Sequence, residues 1–386
     1  MKILTVLTYY RPHTSGLTIY AERLARAFVR RGHQVTVMTT QYDRSLPSQE
    51  TMDGVKIIRL PVLFRVSKGV IAPTFGLVAT KLVAENDVVQ MHLPQFDAPG
   101  VAMRGRLFGK PAVLTYHCDL LLPNGLFNRF VNLVVHFQNN MAGILSDHIV
   151  TYTRDYAAHS AYLSRYKHKL TPILPPVELP PPAPGAVEAF ALEHQTRTKR
   201  PVIGMVTRFA SEKGVEVLLE ALPAILQKYP GAQVLFAGQH QNVMGEQAYF
   251  DRLAPLIHEY EKAGKWKFLG NLSPLELAAL YPNLDVLTVP SLNSTEAFGL
   301  VQIEAMMTGV PSVPSALPGV RMPVRMHGMG EVAEIGSAGD LARCVLEVLD
   351  HPEKYRGDVD LIKRSYDPDS IAAEYEKLFE SLVRKK

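Results

Sequence analysis

Cysteine is nearly absent from this chain. Cys118 and Cys344 are the two in 386 residues, and they sit in no metal-ligand or Cys-x-x-Cys spacing. Neither a zinc site nor a disulfide framework is therefore encoded, and a reducing, cytoplasmic setting is expected. Long apolar runs are missing too: no stretch reaches the roughly 18 uncharged apolar residues of a membrane-crossing helix. The opening MKILTVLTYYRP has one lysine and a short apolar run, which reads as a first β-strand, whereas a signal peptide has a longer apolar core. Fingers, basic–aromatic repeats and RNA-binding motifs are absent, so nucleic acid is not an expected partner. Asp-x-Asp occurs at 358–360 and 367–369, in the tail, where it reads as loop and cap residues. Neither a metal nor a cofactor is expected.

The length exceeds what one core usually serves, so two domains are expected. Charge divides unevenly between them. Residues 1–180 hold 20 Lys+Arg against 11 Asp+Glu, so the first half is basic within a chain of net charge +4. That half either faces an anionic partner, such as anionic lipid or a phosphorylated acceptor, or carries a solvated surface.

Strands and helices alternate along the chain. ILTVL at 3–7 reads as a buried strand, a polar loop from Tyr9 to Ser15 closes at Gly16, and a helix follows over 17–31. Strands follow at 34–40, 55–60, 87–92 and 112–117, the last two ending in His92 and His117. Residues 126–143 read as helix, SDHIVTYT as strand and 155–166 as helix. The proline-rich TPILPPVELPPPAPGA reads as a connector, with the boundary region at 180–200. A second series begins at Pro201: strand, the loop SEKG, helix 215–228, strand 233–238, strand 266–270, helix 275–280. Residues 319–330 read as loop, 338–350 as helix, and a terminal helix begins near Ser370. Its stripe of Ile371, Tyr375, Leu378, Phe379 and Leu382 is suited to packing. The expected domains are 1–185 with helix 369–386, and 200–365.

One stretch concentrates the chemistry, DVLTVPSLNSTEAFGLVQIEAMMTGVPSVP at 285–314. It reads as strand, polar loop, helix 299–308, and a restarted strand. Loops of this kind at the carboxyl edge of a parallel sheet bind ligands, and the first turn of a helix offers free N–H groups to an anion. Glu296 and Glu304 flank that turn; carboxylates suit sugar hydroxyls. Spacing alone also fits an ordinary βαβ unit with acids near a helix start. In RFASEKG, Arg208 and Lys213 flank another strand-to-helix corner, where two cations neutralise a diphosphate. Gly16 has its own simple reading, a helix-start turn, and one glycine does not make a dinucleotide fingerprint.

EAFGLVQIE resembles the Glu-x7-Glu motif of retaining glycosyltransferases, and its context is similar to glycosyltransferase family 4; the resemblance spans essentially the whole chain. It implies the α/β GT-B fold: two Rossmann-like domains facing across a cleft, with the C-terminal helix crossing back to the first. It implies a retaining, metal-independent hexosyltransferase using a UDP- or GDP-linked sugar. Gly16, Arg208, Lys213 and the N–H groups near Phe298, Gly299 and Leu300 would hold the diphosphate. Glu304 would accept from ribose hydroxyls and Glu296 from the donor sugar. His117 would contact the transferred sugar, its imidazole donating to a hydroxyl or carrying partial positive charge near phosphate. Gly238 would let the backbone approach the donor, and the main chain at Leu272 would meet the nucleobase. Two departures stand out, Ser15 where the family has the first glycine of a pair and His240 where it has a second glycine after Gly238. No carboxylate is placed as a nucleophile, so a front-face route is expected, in which a phosphate oxygen takes the acceptor proton.

RLPVLFRVSKG at 59–69, with Arg65 and Lys68 among apolar residues, suits a bilayer or lipid acceptor on the cytoplasmic face of the membrane. A variable loop over the sheet is the simpler reading of the same segment. His92 and His13 are lesser acceptor-side candidates, His136 is read as packing, and Asp119 as acceptor-facing or a turn residue. Competing functions are a nucleotide-sugar epimerase of related fold, a transferase acting on a small phosphosugar, and a glycan-binding protein without catalysis.

Overall fold

The structure, a computed structural model, describes residues 1–66, 69–120 and 126–384. Lys68 of the basic–apolar segment lies outside the described residues. The chain forms two units, one from Met1–Val177 with the chain from Ser365 onward, the other from Glu178–Arg364.

Among the described residues the first unit holds ten strands: β1 (Lys2–Val6), β2 (Gln34–Gln41), β3 (Gln49–Met52), β4 (Val55–Pro61), β5 (Phe64–Val66), β6 (Gly69–Ile71), β7 (Val88–Leu93), β8 (Ala112–Tyr116), β9 (His148–Thr151) and β10 (Leu170–Pro172). Eight make one sheet in the order β10-β9-β8-β7-β1-β2-β4-β3, parallel except where β3 runs against β4. β5 and β6 form a separate antiparallel hairpin. Every residue of β7 and β8 is buried, as expected for parallel strands covered on both faces. The chain winds from β1 through β2 to one side, then restarts at β7 toward the other. The topological switch point therefore lies between β1 and β7.

Helix Gly16–Arg30 starts where Ser15 caps it: Ser15 Oγ accepts from the Thr18 amide at 3.3 Å, and the Ser15 amide donates to Thr18 Oγ1 at 2.7 Å. Ser15, which stands where the family resemblance implies a glycine, thus sets the helix start. Helix Pro368–Val383 is capped by Asp367, whose carboxylate accepts from the Ser370 amide at 2.9 Å. Tyr375 and Phe379 are fully buried, Phe379 lying 5.8 Å from Phe28 of the first helix. Arg30 pairs with Asp369 and Arg31 with Glu376 along the same seam. The terminal helix therefore belongs to the first unit.

The second unit holds β11 (Val202–Val206), β12 (Gln233–Ala237), β13 (Trp266–Gly270), β14 (Val286–Val289) and β15 (Ser312–Pro314), all parallel, in the order β13-β12-β11-β14-β15. Its switch point lies between β11 and β14. Helices Val215–Lys228 and Ala338–Asp350 pack against it and supply much of its core.

Several expectations need correction. The boundary region read over 180–200 contains a helix, Ala186–Glu193, that was not expected there. Fully buried Asn283 fastens it, donating to Val187 O at 3.0 Å while accepting from Thr196 Oγ1 at 2.7 Å. The loop read over 319–330 contains helix Met322–His327, whose Pro323 start and Gly328 stop resemble turn signals. The single helix read over 155–166 divides into Arg154–His159 and a 3-10 turn, Leu163–Lys169. Helix Gln247–Lys262 went unread. Arg59, the first residue of the basic–apolar segment, is 2% exposed and donates to Pro47 O and Arg11 O. His136 is exposed, not packed.

Candidate functional site

The switch point of the second sheet brings together the loops that follow β11 and β14. They are zipped to each other: the Leu292 amide donates to Glu212 O at 2.9 Å. An added Cβ on Gly214, at φ +67, would lie 2.1 Å from Pro290 O, so only glycine admits this approach. The apposition sets Lys213 Nζ 2.6 Å from Glu296 Oε2, both side chains being largely buried. Glu296 Oε1 accepts from the Gly299 amide at 3.1 Å. One carboxylate thus bridges the loop cation and the start of helix Leu300–Met306, which is shorter than the 299–308 expected. Arg208 pairs with Glu212. Both cations of this edge therefore carry a carboxylate partner, which sequence reasoning did not foresee.

Glu304 is 7% exposed and accepts from the Tyr281 hydroxyl at 2.9 Å. Phe298 is buried, and Leu300 half-buried. Gln302 escaped notice although it anchors this helix. Fully buried, it donates to Phe298 O and Val320 O at 3.0 and 2.9 Å and accepts from Ser312 Oγ at 2.8 Å. A buried glutamine inside an apolar helix is the signal that could have found it. Leu272, just past β13, packs half-buried against the group containing Leu280 and Tyr281. Gly238 has an internal explanation: at φ +138 a Cβ would lie 1.9 Å from Thr207 O, so the neighbouring loop itself demands glycine there. His240 stacks on Phe268 at 4.1 Å.

In the first unit, Gly16 is exposed and, among the described residues, has no neighbour within 4 Å of where a Cβ would stand. Neither packing nor a left-handed backbone requires glycine at that position. His117 follows β8, its amide donating to Leu93 O at 3.1 Å. Its imidazole does not emerge as expected: it is 5% exposed, with Nε2 2.8 Å from His92 Nδ1 and Nδ1 on the Tyr152 hydroxyl. Burial, with His92 beside it, pushes its pKa well below the ordinary histidine value, so the ring is neutral rather than partly charged. Burial likewise lowers His92, to about 3. His13 stacks on Tyr9 at 4.8 Å. Asp119 serves its turn, accepting from Tyr116 and Ser160 hydroxyls, each at 2.8 Å.

Among the described residues no group of three His, Cys, Asp or Glu stands close enough to hold a metal ion. Asp358 and Asp367, from the Asp-x-Asp pairs, accept backbone N–H groups from Leu361 and Ser370 near helix starts.

Comparison with known proteins places this geometry in a family. Residues 15–174 match the glycosyl transferase 4-like domain, and residues 188–366 match glycosyl transferases group 1. The phosphatidyl-myo-inositol mannosyltransferase of Mycolicibacterium smegmatis is 23% identical, covering 99% of this chain and 94% of that protein. The GDP-mannose-dependent alpha-(1-6)-phosphatidylinositol monomannoside mannosyltransferase of Mycobacterium tuberculosis is 25% identical, over 90% of this chain and 89% of that one. Among solved structures, Anabaena Alr3699/HepE in complex with UDP and glucose superposes with a TM-score of 0.78 at 20% identity, covering 99% of this chain and all of that one. With both halves matched and the GT-B fold shared, the chain belongs to the group 1 glycosyl transferases of glycosyltransferase family 4.

Proposed function

We propose that this chain is a retaining, metal-independent hexosyltransferase that moves a sugar from a nucleotide-diphospho-sugar to a hydroxyl on a lipid or lipid-linked glycan. The observation that carries the reading is the Lys213–Glu296 pair, with Glu296 also holding the Gly299 amide at the second unit's switch point. The donor diphosphate would take Lys213 and Arg208 from their carboxylate partners. Released Glu296 would then turn to the donor sugar's hydroxyls. The main chain at Phe298, Gly299 and Leu300 would face phosphate oxygens, and Glu304 the ribose hydroxyls. Leu272 would offer main chain to the base.

In the front-face route the C1–O bond loosens and its electron pair leaves with the diphosphate. The acceptor oxygen bonds to C1 from the same face, and its proton passes to a phosphate oxygen. Arg208 and Lys213 stabilise the charge growing on the leaving group, which is the work a divalent cation would otherwise do. The mannosyltransferase relatives support GDP-mannose as one donor to examine, and the UDP complexes of Anabaena HepE support UDP-glucose as another. Titration calorimetry with GDP-mannose, UDP-glucose and UDP-N-acetylglucosamine should find one that binds; binding by none of them would sink the proposal.

The lipid acceptor is supported by the phosphatidylinositol-directed relatives and by the β5–β6 hairpin. Leu63 and Phe64 are 66% and 51% exposed there, beside exposed Arg65. Among the described residues no helix is long and apolar enough to cross a membrane, so contact would be peripheral. At low salt the protein should sediment with anionic vesicles and be released as salt rises. If it stays in the supernatant at low salt, the phosphosugar reading replaces the lipid one.

Gly16 gives an independent check. Because no described residue fills the space beside it, Gly16→Ala should leave thermal stability unchanged or raised by up to about 1 kcal/mol. Turnover should nevertheless fall at least about tenfold, a loss of about 1.4 kcal/mol of transition-state stabilisation. Wild-type turnover in a folded variant would remove Gly16 from the donor site.

A further inference from the structure

His92 and His117 stand on adjacent parallel strands, at the end of β7 and just past β8, and are 1% and 5% exposed. Their rings stack at 5.1 Å, with His92 Nδ1 2.8 Å from His117 Nε2. His117 Nδ1 meets the Tyr152 hydroxyl, whereas His92 Nε2 has no hydrogen-bond partner among the described residues. Tyr20 closes the side of the His117 ring edge-on, at 4.9 Å and 89°. The Tyr20 hydroxyl lies 2.8 Å from that of Tyr375, which in turn lies 3.0 Å from Thr115 Oγ1. The titratable groups facing the pair are therefore Tyr20 from the first helix, Tyr152 past β9 and, behind Tyr20, Tyr375 from the last helix. Among the described residues no carboxylate hydrogen-bonds to either ring.

Counting hydrogens leaves two arrangements. A neutral imidazole carries one N–H, and between two nitrogens in contact one must donate. If His117 Nε2 donates, its Nδ1 is bare and accepts from Tyr152. His92 Nδ1 is then bare too, and its hydrogen sits on Nε2. If instead His92 Nδ1 donates, His117 Nε2 accepts, and His117 Nδ1–H donates to Tyr152. Either way both rings share one tautomer. The first arrangement strands a buried N–H and the second only a bare lone pair. Orphaned donors are the rarer case, so the shared Nδ1–H form is expected.

We propose that His92 is a positioning residue for His117, its Nδ1 selecting the tautomer and ring plane of His117 and so holding the end of β8 in the geometry that turnover needs. The proposal rests on the proposed transferase function, with the end of β8 at the carboxyl edge of the first unit's sheet; the His117 ring, both nitrogens engaged, acts by holding that end in place. Tautomer control of this kind is how a buried partner makes a catalytic imidazole competent in other enzymes.

Two measurements on the full-length protein test it. In long-range 1H–15N spectra of histidine-labelled protein, the two buried rings should share one tautomer and should not titrate between about pH 5.5 and 8.5. Opposite tautomers, or a His117 that titrates in that range, overturn the proposal. In kinetics with whichever nucleotide sugar binds, His92→Leu should lower kcat about tenfold or more while changing donor Kd by less than about twofold. His92→Asn keeps an amide where Nδ1 stood and should recover kcat to within about threefold of wild type. A leucine variant with wild-type kcat, or an asparagine variant no better than leucine, overturns it. If the leucine variant does not fold, the wild-type spectra decide alone. Should no nucleotide sugar bind the wild type, the functional reading fails, while the tautomer prediction is still judged on the spectra.

Discussion

The contact between Lys213 and Glu296 organises the second unit's ligand edge. It joins two loops whose neighbours in the sheet, β11 and β14, meet only because the strand order reverses between them. Gly214 lets those loops touch, and the second oxygen of Glu296 fixes the turn that begins helix Leu300–Met306. Gln302 then ties that helix to β15 through Ser312. Removing either charge would leave the other half-buried without a partner, which is the costly way to break such a pair. In the proposed function the pair would also give the site a means of selection. A ligand would have to supply an anion good enough to replace Glu296 on the lysine and hydroxyls good enough to occupy the freed carboxylate. A diphosphate linked to a sugar would do both.

The first unit works differently. Its edge is not an array of charges but a buried, largely neutral network running from His92 and His117 to the terminal helix. Tyr375 reaches Tyr20 and Thr115, so the last helix touches both the helix that follows Gly16 and the strand that precedes His117. The ion pairs of Arg30 and Arg31 lie along the outside of that seam and add little each. Burial of Tyr375 and Phe379 is the stronger attachment.

How much of this was legible follows from the range of the interactions involved. Strands such as β7, β8 and β11 announce themselves as short apolar runs, because both faces of a parallel sheet are covered. Helices Val215–Lys228 and Ala338–Asp350 stand out as helical stretches, and the GT-B fold followed from the family resemblance that the motifs carry. Short elements framed by proline and glycine, such as Met322–His327, read as loops because their boundary signals outnumber their interior. The family motif brought Arg208, Lys213, Glu296 and Glu304 together as a set. Their pairing was not legible: Lys213 and Glu296 are 83 positions apart and meet only through sheet order. The burial of His117 was missed for the same reason, since its cage comes from β7, β9 and the first helix.

The exchange of partners at Lys213 and Glu296 is the centre of this account, and a double-mutant cycle on donor binding tests it most directly. Donor dissociation constants would be measured by calorimetry for the wild type, Lys213→Ala, Glu296→Ala and the double variant. If the two side chains act as one unit that the donor must separate, their effects are non-additive, with a coupling of at least about 1 kcal/mol. Additivity within about 0.3 kcal/mol would mean that the donor meets each side chain independently, contradicting the exchange.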